Sequence, residues 1–380
     1  MRRLKKFFKG LLAIILLCVG LLYLFDYDYI LKGVRVVYMT GHTTAFIDDF
    51  VYFENDTIQN SNQPQPWPNH KSYNQATPTD LLTDYNNSYG TIAFLIIKND
   101  SIWYENYGAE YGTASQTNSF SMAKSITVAL MAKAIDDGFI KSLDQPISDF
   151  YEGYKGESTT VGDLASMASG LDWDESYKSP FSVTARAYYD DHLSETILNQ
   201  QVVDSTGKRF KYLSGNTQLL GMIVQKATGQ PLAEYLSESF WKPMGMQHDA
   251  LWQVDDADNR LAKTYCCIAS NARDFAKFGK LFKNNGRWNG TQLLDSSFVQ
   301  KATQARFEGD PYGYGFWISD HLGKHIFVMR GILGQYVIVI PEDDVIIVRL
   351  GHERGQFIGQ DFTDDFYIYV EEAYAMLAGN

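Results

Sequence analysis

Phe120-Ser121-Met122-Ala123-Lys124-Ser125 (FSMAKS) opens the stretch whose reading decides what this chain is. Met122, Ile126, Ala129 and Leu130 recur at helical spacing, so a helix is predicted from Ser121 to Ile140, with Lys124 one turn beyond Ser121. Residues three apart share a helix face, where an amine can reach a hydroxyl and take its proton, as a serine nucleophile requires. The start of a helix favours an alkoxide or oxyanion, and Met122 and Ala123 help desolvate Lys124, which lowers a lysine's pKa toward that of a base. A plainer reading stands beside this one: Ser is a favoured helix cap, and Lys124 would then be an ordinary exposed lysine.

Ser-x-x-Lys occurs twice more, at Ser205/Lys208 and Ser239/Lys242. Ser205 lies in the turn-like STGK of residues 205 to 208, and Ser239 near the end of an amphipathic helix just before Pro243. Only Ser121 begins a long helix apolar enough to be buried.

Outward from the motif, Thr91 to Lys98 and Ser101 to Tyr107, joined by Asn99-Asp100, read as a β-hairpin. From about 160 to 245 the signals are helical, including Thr217 to Thr228 closed by Gly229 and a helix opened by Pro231. Gln335 to Ile340 and Val345 to Leu350 read as strands around the turn 341–344, and Asp361 to Leu377 as a closing helix. Strands at both ends with helices between them predict an α+β fold: an antiparallel sheet flanked by helices, with a helical lobe at about 156–248. The cleft between the lobes is the natural site.

Residues 55 to 80 are polar and hold four of the ten prolines, which reads as an extended wrap or linker. The five basic residues Arg2, Arg3, Lys5, Lys6 and Lys9 precede the first acid, Asp26; without them 28 basic residues face 45 acidic ones. A body of that charge argues against nucleic acid as a partner, because phosphate binding depends on clustered Lys and Arg.

Gly10 to Phe25 is an uncharged apolar run of 16 residues, which leaves signal peptide and signal anchor both open. No small-x-small cleavage site follows it, which favours the anchor, with residues 1–27 in the membrane and the basic flank cytoplasmic. The body is then expected outside the cytoplasm, periplasmic in a Gram-negative bacterium. Of three cysteines, Cys18 lies in this run, and Cys266 and Cys267 are adjacent, a spacing that bridges only with strain. They are expected as two small buried side chains. No metal-ligand spacing appears among the seven histidines, and neither metal nor cofactor is expected.

FSMAKS resembles the nucleophile motif of the serine β-lactamase and penicillin-binding-protein superfamily, in particular its class C-like branch of family VIII esterases and 6-aminohexanoate-dimer hydrolases. Tyr212-Leu213-Ser214 resembles that branch's second motif, and Met329-Arg330-Gly331-Ile332-Leu333-Gly334-Gln335 its third. The likeness covers roughly residues 85 to 380, leaving 28–84 as an N-terminal extension. It implies that Ser121 attacks a carbonyl, that Lys124 and Tyr212 share the base and acid work, and that an acyl-enzyme forms and is hydrolysed. A phenol beside a lysine ammonium would then be partly ionised. The backbone N–H groups of Ser121 and Ile332 would form the oxyanion hole. Ser214, Gly331, Glu175, Tyr177 and Trp317 would line the substrate pocket, Glu175 and Tyr177 falling in WDESY (173–177), which is similar to a substrate-contacting segment of the nylon-oligomer hydrolases.

The third motif departs from the superfamily's Lys or His followed by Thr or Ser: Met329 and Arg330 stand there. Ser214 also replaces an asparagine. Both changes point away from β-lactams and D-Ala-D-Ala peptides and toward a small ester or linear amide. The alternatives are a D-Ala-D-Ala carboxypeptidase or β-lactamase and, from another class, a non-catalytic ligand-binding relative.

Overall fold

Asn99 and Asp100 both take positive φ, 49° and 56°, which is the backbone a two-residue hairpin turn demands. They join Thr91–Lys98 to Ser101–Tyr107 as the sequence predicts. In this computed structural model, which describes residues 2–379, that hairpin forms one side of a six-stranded antiparallel sheet. Val345–Gly351, Gln335–Ile340, Ile326–Gly331 and Trp317–Ser319 complete it in that order. The two ends of the chain therefore build one sheet.

Alternation along the strands divides the core in two. Val337, Val339, Ile346 and Val348 face the large core around the helix Met122–Asp136. Tyr336, Ile338 and Ile347 face the opposite side, against Phe366, Tyr369 and Val370 of the closing helix Asp364–Ala378. With both faces covered, the strands read as continuous apolar runs rather than alternating ones.

The helix Met122–Asp136 is buried on all sides: twelve of its fifteen residues are inaccessible, so Lys124 has no solvent-facing side to take. Ser214–Thr228, ended by Gly229 in the left-handed region, packs against it. A second antiparallel sheet, Asn55–Ile58, Ala250–Gln253, Ile268–Ser270 and Thr117–Asn118, delivers the chain to the start of that helix. The polar stretch 55–80 runs as an extended wrap, tied by Asn55–Ile58 and by hydrogen bonds of residues 68 and 70 to Ile102. Buried Ile58 and Trp67 hold it down.

Arg2–Leu24 forms one helix with a mean hydropathy of 2.4 over its most apolar window, long and apolar enough to cross a bilayer or to serve as a signal sequence. Cys266 and Cys267 correct the sequence reading. Both are buried, but they are joined to each other by a disulfide, with Cys267 at a φ of 78°.

Candidate active site

Ser121 stands at the N-cap of Met122–Asp136, and the residue before it, Phe120, takes a φ of 45°. A positive φ at a bulky aromatic is a genuine outlier, the kind of strain that clusters at working sites. It turns the chain sharply from the strand Thr117–Asn118 into the helix.

Lys124 is 1 % exposed and sends its Nζ to Ser121 Oγ and to the carbonyl of Tyr265, each at 2.8 Å. Burial lowers its pKa to about 8, against the pull of the Glu175 carboxylate, which raises it. In the neutral amine the lone pair can accept the Ser121 proton while an N–H stays on the Tyr265 carbonyl.

Tyr212 borders the same point, with Lys124 Nζ 5.0 Å from its ring centroid. Its phenol does not follow the expectation of partial ionisation. Desolvation, then the negative charge of Glu175, push its pKa well above the ordinary value, and a hydrogen bond with Ser121 pulls it only part of the way back. The cation-driven effect loses because desolvation of the phenolate is the largest cause of the shift, whereas the cationic charge that favours it, that of Arg330, is the smallest. A protonated phenol in this position is an acid.

Glu175 has a structural task. Its Oε2 accepts from the backbone N–H of Ser214 and its Oε1 from the Ser214 hydroxyl, both at 2.6 Å, and Tyr177 OH donates to Oε1 as well. The carboxylate therefore caps the N-terminus of Ser214–Thr228, where the helix dipole favours negative charge. Trp173 sits flush on Gly215, where any side chain would collide with its ring. WDESY is thereby locked against the second motif.

Gly331 ends the strand Ile326–Gly331 beside Ser121; a Cβ there would meet the carbonyl oxygen of Ser119. Beyond it, Ile332–Gly334 makes a tight turn with Leu333 at a φ of 64°. Two side chains absent from the sequence-based site hold that turn. Gln335 Nε2 donates to the carbonyls of Ile332 (3.4 Å), Leu333 (3.2 Å) and Gly351 (2.6 Å). Arg349, fully buried, donates to the carbonyls of Leu333, Gly334 and Glu353 and to that of Tyr89. An arginine in the otherwise apolar run VIIVRL was the signal that could have found it.

Met329 points into the large core, and Arg330, on the other face of the strand, lies 4.8 Å over Trp317 and 5.0 Å over Phe362. A cavity of about 320 Å³ is lined by Ser121, Glu175, Tyr177, Tyr212, Trp317, Arg330, Gly331 and Ile332. Arg354, Phe357, Asp361 and Thr363 close it from a loop that carries no motif in the sequence. Ser214, fully buried, reaches the cavity only through Glu175. The rival pairs stay apart from any such cleft: Ser205 and Lys208 are exposed, and Lys242 pairs with Glu238 at 2.5 Å.

An antiparallel α+β body whose cleft holds a buried Ser-Lys pair has the architecture of β-lactamase/transpeptidase-like proteins. The Beta-lactamase family model matches residues 79–360, and the chain belongs to that family. It is 25 % identical over 287 residues to the 6-aminohexanoate-dimer hydrolase of Paenarthrobacter ureafaciens, covering 68 % of this chain and 72 % of that one. Protein flp of Staphylococcus aureus (strain NCTC 8325 / PS 47) is 27 % identical over 177 residues, 43 % of this chain but only 35 % of its own length.

Among solved structures, a Bacillus anthracis protein provisionally described as a 6-aminohexanoate-dimer hydrolase superposes with a TM-score of 0.73 at 20 % identity, covering 92 % of this chain and 93 % of that one. The D-amino acid amidase of Ochrobactrum anthropi SV3 gives 0.57 at 15 % identity, covering 79 % and 99 %. At those identities the likeness is one of fold. The chain is thus a member of the β-lactamase and penicillin-binding-protein superfamily related to 6-aminohexanoate-dimer hydrolase.

Proposed function

We propose that this chain is a serine hydrolase that cleaves a small ester or linear amide through an acyl-enzyme on Ser121. The observation that carries the reading is the buried Lys124 amine, 2.8 Å from Ser121 Oγ and with a pKa lowered to about 8. In its neutral form Lys124 removes the hydroxyl proton as Ser121 attacks the carbonyl, and the N–H groups of Ser121 and Ile332 receive the oxyanion. Tyr212, held protonated, gives its proton to the leaving group, and Lys124 can return one along the same path. Water then repeats the sequence on the acyl-enzyme.

Substrate size follows from the cavity of about 320 Å³. Chemistry follows from its third-motif wall: Met329 is turned inward and neither it nor Arg330 carries a hydroxyl, so none from the two residues before Gly331 meets the substrate. The names of the relatives, a 6-aminohexanoate-dimer hydrolase and a D-amino acid amidase, agree with a linear amide. We further read Arg2–Leu24 as the anchor, with the catalytic domain from about residue 85 held outside the cytoplasm.

Purified protein should turn over p-nitrophenyl butyrate and accept a fluorophosphonate on Ser121, and Ser121→Ala should abolish both. Unimpaired turnover in that variant would end the assignment. Slow turnover of penicillin with esters untouched would move the substrate to β-lactams.

A further inference from the structure

The strained residue before the nucleophile is held from a distance. Phe120 N–H donates to Asn118 Oδ1 at 2.9 Å, and Asn118 Nδ2 donates to Asp49 Oδ1 at 3.0 Å. Tyr188 OH donates to the other oxygen, Asp49 Oδ2, at 2.7 Å, and the Asn118 N–H donates to the carbonyl of Ile47 at 2.7 Å. Asp49 and Asn118 are both fully buried, and Phe120 is nearly so. Three parts of the chain far apart in sequence meet here: the N-terminal extension (47–49), the strand ahead of the nucleophile, and the helix Val183–Tyr189 of the helical lobe.

An asparagine amide can present either its oxygen or its nitrogen to a neighbour, and only the oxygen can accept from Phe120 N–H. The ionised Asp49 accepts only, so it fixes the amide with the nitrogen toward itself and the oxygen toward Phe120. Burial lifts the Asp49 carboxyl to about 6, the hydrogen bonds from Tyr188 and Asn118 and the charge of buried Lys263 drawing it back down, so it is ionised at neutral pH. Without that acceptor Phe120 loses the bond to its N–H and keeps only those that Ala123 N–H and the Ser119 hydroxyl make to its carbonyl, and a relaxed Phe120 would swing Ser121 Oγ away from Lys124 Nζ.

We propose that Asp49 and Asn118 are positioning residues for the reaction, acting through the backbone of Phe120 to aim Ser121 at Lys124. The proposal rests on the reading of Ser121 as nucleophile. Neither residue lines the cavity, so their loss slows acylation and leaves substrate affinity alone.

The test uses full-length protein, with p-nitrophenyl butyrate kinetics and the rate of fluorophosphonate labelling. Asn118→Ala is expected to lower kcat and the labelling rate roughly 10- to 100-fold at unchanged KM, since misplacement of about an ångström costs that much. Asn118→Asp places two carboxylates together and is expected to be slower still. Combining Asp49→Asn with Asn118→Asp exchanges the two groups and gives both Tyr188 OH and Phe120 N–H an acceptor again. The amide then at position 49 receives from Tyr188 and donates to the carboxylate then at position 118, whose other oxygen receives from Phe120 N–H. The kcat of this exchanged pair should return to within about threefold of wild type, a coupling that independent sites would not show.

A kcat for Asn118→Ala equal to wild type, or a fall in kcat/KM arising from KM alone, overturns the proposal. So does an exchanged pair as slow as Asn118→Asp while its melting temperature matches that of wild type. Retained turnover in Ser121→Ala removes the nucleophile assignment itself, whereas a dead Ser121→Ala beside an unimpaired Asn118→Ala overturns the positioning role alone.

Discussion

Ser121/Lys124 and Ser239/Lys242 have the same spacing and occupy helical turns of the same chain, yet only the first pair is built as a site. Lys242 is one-third exposed and reaches back to Glu238, a carboxylate one turn earlier that occupies its amine. Lys124 has a helix packed on every side, a carbonyl as its second partner and no carboxylate in contact. Spacing gives both pairs reach, and burial without a counter-ion is what sets the Lys124 amine apart.

The largest effect should come from breaking that contrast at the serines. Ser121→Ala is expected to lower kcat at least roughly a thousandfold, and Ser239→Ala to leave it near wild type. Comparable losses in the two variants, read by steady-state hydrolysis of p-nitrophenyl butyrate, would show that the packing difference carries no chemistry.

Next in size is the proposed acid. Tyr212→Phe keeps the ring that borders Lys124 and removes only the phenolic proton, so kcat should fall roughly 10²- to 10⁴-fold. The loss should be greater for an anilide than for an activated ester, because an amine needs protonation to leave. Equal losses for the two leaving groups would assign Tyr212 another role.

The smallest effect sharpens the electrostatics. In the proposed mechanism Lys124 works as the free amine, so kcat/KM should rise with pH through about 8 and level off above it. Glu175 raises the pKa of Lys124, so Glu175→Gln should move that midpoint to lower pH with the plateau largely kept. A midpoint that stays or moves upward would contradict the assigned coupling. Stability follows the same sign. Lys124 titrates lower in the folded chain than its free value of 10.5, so the cost of burying its charge is full below about 8 and is relieved as pH rises between the two values.

Much of the scaffold was legible locally. Asn99-Asp100 named the hairpin because few residue pairs tolerate two positive φ values in a row, and Gly229 marked a helix end for the same reason. Met122, Ile126 and Leu130 showed the helix that carries the site. The Cys266–Cys267 bridge was missed because adjacency alone argues against it, and only the fold shows Cys267 in a left-handed backbone. Tyr212 was expected to be partly ionised, but its pKa is raised instead, because the depth of its burial is not a local property.

By itself the sequence determined the order and spacing of the three motifs, the helix and hairpin signals around them, and therefore the α+β architecture. Those depend on periodicity and on the φ preferences of single residues, which are written locally. Tertiary structure alone decided that the carbonyl of Tyr265 is the second partner of Lys124, that Glu175 caps the helix bearing Ser214, that Arg349 pins the turn after Gly331, and that Asp49 reaches Phe120 through Asn118. Each of these joins depends on the packing of segments 15 or more positions apart. Desolvation and hydrogen bonding act through space, so they come into being only when the chain has closed on itself.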